Sequence, residues 1–271
     1  MRSLGHAVTV ARAFTRMGYL LEFAYPLAFV FTQMQALVPV FIYFFVAKLV
    51  NSSNSNVGGD YFTFVIIGVL SIRVLAVVQD LSSELDSAIQ QGRLETLLVE
   101  PLPWRALPFA LIPWSLIVRL VTVALLVFIT VPMGAHYNWS GMPEALLITL
   151  LGTVSTLVIG VLATSVKVLS KRNDPILAVY GLVVQVLSGA FFPLSVLPAP
   201  LRLISRMLPQ TYVIDANRHL LLLHPAGLSG ATPMQAIVVL VAFAVVGYAV
   251  SLWLLGRTLD YAREIGVLGG Y

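Results

Sequence analysis

Cysteine is absent from the 271-residue sequence, which excludes disulfides, thiolate catalysis and cysteine-based metal sites. Charge is scarce as well: Asp, Glu, Lys and Arg make up 10% of the chain, against roughly 25% in a soluble globular domain. The four histidines, His6, His136, His219 and His224, are dispersed; the nearest two fall on different helix faces, so no metal site is expected. No G-x-x-x-x-G-K-[ST] loop occurs among these residues, so ATP has no phosphate cradle here. H-E-x-x-H is missing too, as is any cluster of carboxylates inside an apolar run, so nothing points to an intramembrane enzyme or a proton-coupled carrier.

What is present is hydrocarbon. The chain is 59% hydrophobic with a mean hydropathy of +0.92. Six apolar runs, roughly 25–50, 61–79, 106–133, 145–169, 175–198 and 234–256, each supply the length of about 20 residues needed to cross a bilayer. They are continuously apolar and lack the alternation of a β-barrel strand. The expected fold is an all-α integral membrane protein, a single domain over 1–271 with six transmembrane helices. Arg2, Arg12, Arg16 and Glu22 interrupt the first stretch, so no cleavable signal peptide is expected. Residues 1–24 read instead as an amphipathic helix lying in the interface: Leu4, Val8, Ala11, Phe14, Gly18 and Leu21 form one stripe, and Arg2, His6, Arg12, Arg16 and Tyr19 another.

Charge sets the orientation. With the N-terminus inside, Arg2, Arg12, Arg16, Arg93, Arg105, Lys167, Lys171, Arg172, Arg257 and Arg263 are cytoplasmic, whereas only Arg202, Arg206 and Arg218 are external. That bias predicts two cytoplasmic termini, and it explains a net charge of +4 without nucleic acid.

Two non-spanning segments are organised beyond ordinary connectors. In 81–101, Leu81, Leu85 and Ile89 recur every four residues and Leu94, Leu97 and Leu98 resume after Gly92. Glu84, Asp86, Gln90, Arg93 and Glu95 take the other side, giving two short amphipathic helices hinged at Gln91-Gly92 and ended by Pro101. Such a segment either docks a soluble partner or simply caps the bundle. The second, 188–232, is apolar, punctuated by Pro193, Pro198, Pro200 and Pro209, and too short in its pieces to cross. This is how re-entrant or interfacial helices read. Leu201, Ile204 and Leu208 share one face there, and Asp215 and Arg218, three apart, are placed to pair.

Ionisable residues inside apolar runs are costly and mark partners or pathways. Arg73 and Arg119 are candidates for lining an anionic pathway; the rival reading makes them structural links to carbonyls or to a neighbouring protomer. Lys48 can snorkel to the interface, and Asp80 is expected to pair with a basic neighbour. Tyr25, Phe29, Phe31, Tyr43, Phe44, Phe45 and Trp114 either line a path for an amphiphile or face lipid and core.

Gly92-Arg-Leu-Glu-Thr-Leu-Leu-Val-Glu-Pro101 between the second and third runs, Ser188-Gly-Ala-Phe-Phe-Pro193 with Leu197-Pro198 at the end of the fifth, and Pro209-Gln-Thr-Tyr212 with Arg218 before the sixth stand in an order that resembles the permease subunits of type-2 ABC exporters, the ABC-2 family. The resemblance covers essentially the whole chain. It implies a non-enzymatic transport subunit, paired as a homo- or heterodimer in the bacterial plasma (inner) membrane. It also implies separately encoded ABC ATPase subunits, which would bind ATP and Mg, leaving this chain without a cofactor. On this resemblance 81–101 is the coupling helix, with Leu85, Ile89, Gln90, Gly92, Arg93 and Glu95 passing on ATPase motion. Phe191, Phe192, Pro193, Tyr212, Asp215 and Arg218 would gate the external exit. Members of the family export drugs, antibiotics, lipid-linked glycans and other amphiphiles. Arg16-Met-Gly-Tyr-Leu-Leu-Glu22 lacks the basic Arg-Tyr-Lys-like stretch of glycan exporters, which favours a drug or lipid-like substrate over a glycan. A channel or secondary transporter needing no ATPase is the alternative of another class.

Overall fold

Proline and capping side chains set where the helices begin. The computed structural model describes residues 2–49, 60–80, 83, 107–170, 175–224 and 230–264. Helix α1 (Arg2–Ala24) breaks at Tyr25, and α2 (Pro26–Leu49) starts on a proline whose missing N–H would have no helical partner anyway. Asp60 caps α3 (Tyr61–Leu75), accepting from the amides of Phe62 and Thr63 at 3.1 and 3.4 Å. After a turn at Ala76 the chain is helical again over 77–80. Then come α4 (Leu107–Thr130), α5 (Met142–Ser170), α6 (Pro175–Leu187), α7 (Ala199–Arg206), α8 (Pro209–Leu221) and α9 (Pro233–Glu264). Helix α9 opens with a reciprocal cap in which Thr232 and Gln235 each donate a backbone N–H to the other's side chain, at 3.2 and 3.4 Å. The only β pairing among the described residues is a single antiparallel bridge, Tyr137 to Leu222.

Among the described residues, five stretches are long and apolar enough to cross a membrane: Pro26–Leu49, Tyr61–Asp80, Ile112–Thr130, Trp139–Ala163 and Pro233–Thr258. Four of the six runs expected from sequence are thus full-length helices within a few residues of their expected bounds, and the fourth run begins earlier, at Trp139. The fifth run holds the 13-residue α6, an apolar helix that by itself is shorter than a span. Its two ends nonetheless mark opposite ends of the Tyr61–Asp80 stretch. Leu177 packs with Val78 and Ala163, whereas the carbonyls just past Leu187 meet a side chain that also bonds the Phe64 carbonyl. Phe64 and Val78 are about 21 Å apart along a helix at 1.5 Å per residue.

Burial is arranged as lipid requires, with apolar side chains both inside and out. Helix α3 is interior; Phe64, Val65, Ile66 and Ile67 are all almost fully buried. The outer helices show large apolar groups to the surroundings, with Leu27 73% and Phe128 77% exposed. Small residues allow the close approaches. A Cβ at Gly247 on α9 would sit 2.6 Å from Val158 on α5, and one at Gly152 on α5 would sit 2.3 Å from Val213 on α8. Helix α1 does not lie alone: Gly18 rests against the ring of Trp114 on α4, which Tyr19 meets edge-on at 5.8 Å.

The start of α3, the segments after α4 and α6 and the end of α8 gather at one end of the bundle. The His136 amide donates to Thr63 at 3.0 Å, Asn138 N–H donates to the Leu221 carbonyl at 2.8 Å, and the Tyr61 hydroxyl reaches the Phe191 carbonyl at 3.3 Å. Helix α7 lies on the surface of this end. Its Leu201, Leu203 and Ile204 are exposed and Ser205 is buried, so the expected apolar face is turned outward rather than onto the protein. Only Leu208, past its end, packs inward. Helix α8, in contrast, is seated among α3, α5 and α9, with Val213, Ile214 and Ala216 completely buried.

Candidate functional site

The loop end of the bundle is organised by one arginine. The turn Ser188–Phe192 leaves α6 with Gly189 at φ +79°, a left-handed conformation that a side chain would strain. It presses onto α3 so closely that a Cβ at Gly68 would fall 2.4 Å from the Ala190 carbonyl oxygen. The turn presents its carbonyls to Arg218 on α8, whose guanidinium donates to Gly189 at 2.8 Å and Ala190 at 2.6 Å, and to the Phe64 carbonyl of α3 at 3.2 Å. The same group lies 3.5 Å above the Phe64 ring. A planar five-donor cation thus joins three elements at a place only 2% exposed.

The expected Asp215–Arg218 pair is not formed as an ion pair; the carbonyls take the arginine's donors instead. Asp215 turns the other way and accepts the Ala231 amide at 3.2 Å, against Gly230, where a Cβ would lie 2.6 Å from its carboxyl carbon. Burial pushes the Asp215 carboxyl up to about 6, with Arg218 and the Ala231 amide acting to lower it. For Arg218, burial acts to lower the pKa and Asp215 acts to raise it. Next to Arg218 in the chain, the Asn217 amide nitrogen donates to Ser71 of α3 and Thr149 of α5, both at 2.9 Å. These three residues were not singled out from sequence; a small polar residue on an otherwise apolar run is the only signal, and it does not name its partner.

The other gate candidates fall around this knot. Phe191 stacks on Tyr43 of α2 at 5.1 Å. Phe192 packs beside Leu194, Leu197 and Leu208, and Pro193 starts the 3-10 turn Leu194–Val196. Tyr212 is half-buried and donates to the Arg206 carbonyl at 2.9 Å. Five of the six thus meet neighbouring elements at the loop end, and Asp215 faces the segment leading into α9.

Arg73 and Arg119 sit toward the other end of α3, in a cleft of about 330 Å³ between α1, α2, α3 and α4. The structure separates them. Arg119 grips Asp80 in a two-pronged ion pair, both contacts at 2.5 Å, and sends a further N–H to the Arg73 carbonyl at 2.8 Å. Asp80 has the basic partner expected of it. Among the described residues the Arg73 side chain has a single long bond, 3.4 Å to the Ala36 carbonyl of α2. Of the aromatic candidates, Trp114 lines this cleft, Tyr25, Phe31 and Phe45 are exposed, and Phe44 meets Phe62 edge-on at 5.5 Å. Lys48 lies 4.4 Å over the Phe44 ring. The coupling candidates Leu85, Ile89, Gln90, Gly92, Arg93 and Glu95 lie outside the described residues.

No curated protein matches the chain. The family model for ABC-2 type transporters matches residues 13–222, well over half of it and including the 81–101 segment and most of 188–232. Taken with five apolar helices of spanning length, that match makes the chain a membrane permease of the ABC-2 type transporter family.

Proposed function

We propose that the chain is the permease subunit of an ATP-driven exporter that moves a hydrophobic or amphiphilic substrate out of the cytoplasm or the inner leaflet. Two such subunits, each with six spans and cytoplasmic termini in a bacterial inner membrane, form the pathway. Separately encoded ATPase subunits bind ATP and Mg and dock on the coupling helix within 81–101. Glu95 meets the ATPase surface, Gly92 allows close backbone approach, and Leu85, Ile89, Gln90 and Arg93 complete the contact. ATP-driven closure of the ATPase pair then shifts the spans between two packings. The 188–232 segment, re-entrant from the outer side, gates the exit. The observation that carries this reading is the family match over 13–222, which takes in 81–101 and most of 188–232. It is joined by the absence of a phosphate loop among the chain's residues.

The test is co-purification with candidate ATPases and ATP hydrolysis after reconstitution, comparing the wild type with Gly92→Trp/Glu95→Lys. The double change is expected to abolish docking and turnover while leaving the elution profile of the membrane subunit unchanged. Association and hydrolysis that survive it would remove the coupling role from this segment. Failure of every ATPase to associate with the wild type would favour a transporter that needs none.

A further inference from the structure

The cleft that holds Arg73 has more polar capacity than its own side chains use. Asp80 and Arg119 neutralise one another within it. What is left over is one cation and one anion: Arg73, whose side chain makes, among the described residues, only the 3.4 Å contact to Ala36, and Glu22 of α1, half-buried and with no partner among the described residues. Beside them Gln33 of α2 is only 9% exposed, and among the described residues its carbonyl oxygen accepts no bond and the buried indole N–H of Trp114 donates none. Buried polar groups are normally satisfied, and each one left open costs about 1–3 kcal/mol, so an unfilled set in a cleft calls for a ligand.

The set has a definite polarity. Arg73 and the Trp114 N–H are donors that suit an oxyanion, and a guanidinium matches a phosphate through two N–H groups at once. Glu22 and the Gln33 oxygen are acceptors that suit an ammonium group. An anion alone would leave Glu22 repelling it, and a cation alone would meet Arg73. The volume, about 330 Å³, is at the small end of the range of about 300–1,000 Å³ typical of ligand pockets, enough for a polar head. Leu20, Phe23 and Leu27, which continue along α1 and α2 from Glu22, are exposed apolar side chains suited to hydrocarbon tails.

We propose that this cleft binds the zwitterionic ammonium–phosphate head of an amphiphile, with the phosphate on Arg73 and the ammonium on Glu22 and Gln33. Arg119 is a positioning residue, held by Asp80 and fixing the α3 backbone at Arg73. The assignment concerns binding and does not depend on an ATPase driving transport.

Binding can be read on the full chain in a zwitterion-free maltoside detergent, by native mass spectrometry and ligand-induced thermal stabilisation. Dihexanoyl phosphatidylethanolamine, dihexanoyl phosphatidylglycerol and inorganic phosphate serve as probes. The expected order is phosphatidylethanolamine first, phosphatidylglycerol at least about tenfold weaker, and no binding of inorganic phosphate. Arg73→Gln is expected to weaken phosphatidylethanolamine at least about tenfold, and Glu22→Gln to erase its advantage over phosphatidylglycerol. Glu22 sits on the outer helix α1, so its variant keeps the test open should Arg73→Gln not fold. Equal binding of the two lipids by the wild type, inorganic phosphate competing as well as the lipid, or insensitivity to Glu22→Gln would each overturn the proposal.

Discussion

Replacing Arg218 by Met would remove the cation while keeping most of its apolar stem. Three charge-assisted bonds are lost, those to Gly189, Ala190 and Phe64, each worth about 1.5–3 kcal/mol. Opposing this, the variant no longer desolvates a guanidinium, a cost of several kcal/mol. The turn's carbonyls, however, stay buried without their donor, at about 1–3 kcal/mol each. The balance is a destabilisation of about 3–5 kcal/mol, in the range found when one member of a buried charged network is removed. At about 2–4 °C per kcal/mol, that lowers the apparent Tm by roughly 6–20 °C. Arg218→Lys should fall between, since one ammonium nitrogen cannot reproduce a planar fork spread over three carbonyls. Near-UV circular dichroism on detergent-solubilised protein reads the transition, with exposed Arg206→Met as a control expected to change nothing. A loss below about 2 °C in Arg218→Met, or a Lys variant as stable as the wild type, would refute the reasoning that this arginine ties the turn to α3 and α8.

The Asp215 carboxyl, pushed up to about 6 from 3.8 by burial, binds its proton more tightly in the folded state. Its contribution to stability is therefore full below about 3.8 and is lost as pH rises through about 6. On the order of 3 kcal/mol follows from the two values. Stability measured from pH 4 to pH 7 should fall in the wild type relative to Asp215→Asn, whose profile lacks this component. A double-mutant cycle of Asp80→Asn and Arg119→Gln should give a coupling of about 1–3 kcal/mol by thermal denaturation, because both charges are partly buried and bonded twice. Gly68→Ala places a Cβ 2.4 Å from the Ala190 carbonyl oxygen. It should cost about 1–3 kcal/mol through overpacking, visible as a lowered Tm.

Much of the architecture is legible from composition and periodicity because lipid allows few backbone solutions. An apolar run must be a helix, and the prolines at 26 and 233 lie at helix starts, while Pro39 and Pro113 are carried inside theirs. Interior position is not legible in the same way. The runs that become α3 and α4 are similarly apolar, yet one is inside and the other largely outside. Hydropathy reports the environment of lipid and of core as the same. Partner choice is harder still. Three-residue spacing made Asp215 the natural partner for Arg218, but the carbonyls that won belong to a turn 28 and 29 residues away, exposed by the positive φ of Gly189. Arg73 and Arg119 look alike in sequence. They differ because Asp80, in the short helical stretch beyond the turn at Ala76, pairs with Arg119 of α4 and leaves Arg73 aside.

Both polar clusters are built on the same helix. Near its start, α3 offers the Phe64 carbonyl and ring, Gly68 and Ser71 to the turn after α6 and to α8. Near its end it offers Arg73 to α2, and the helical stretch 77–80 just beyond the turn at Ala76 offers Asp80 to α4. Between them its side chains are buried almost without interruption, and a close-packed helix moves as a body rather than by stretching. A shift of α4 that carries Arg119 must carry Asp80 and the Arg73 carbonyl, and with them the surface on which Arg218 holds the loop-end turn. Coupling between the two ends of the bundle then needs no chain of adjustable contacts, only two seats for one helix. That has a measurable consequence. Breaking the Asp80–Arg119 grip with Asp80→Asn should raise amide hydrogen exchange at Gly189 and Ala190, about 20 Å or more away along the helix axis. Exchange there that is indifferent to Asp80 would mean that α3 yields in the middle, and the two clusters act separately.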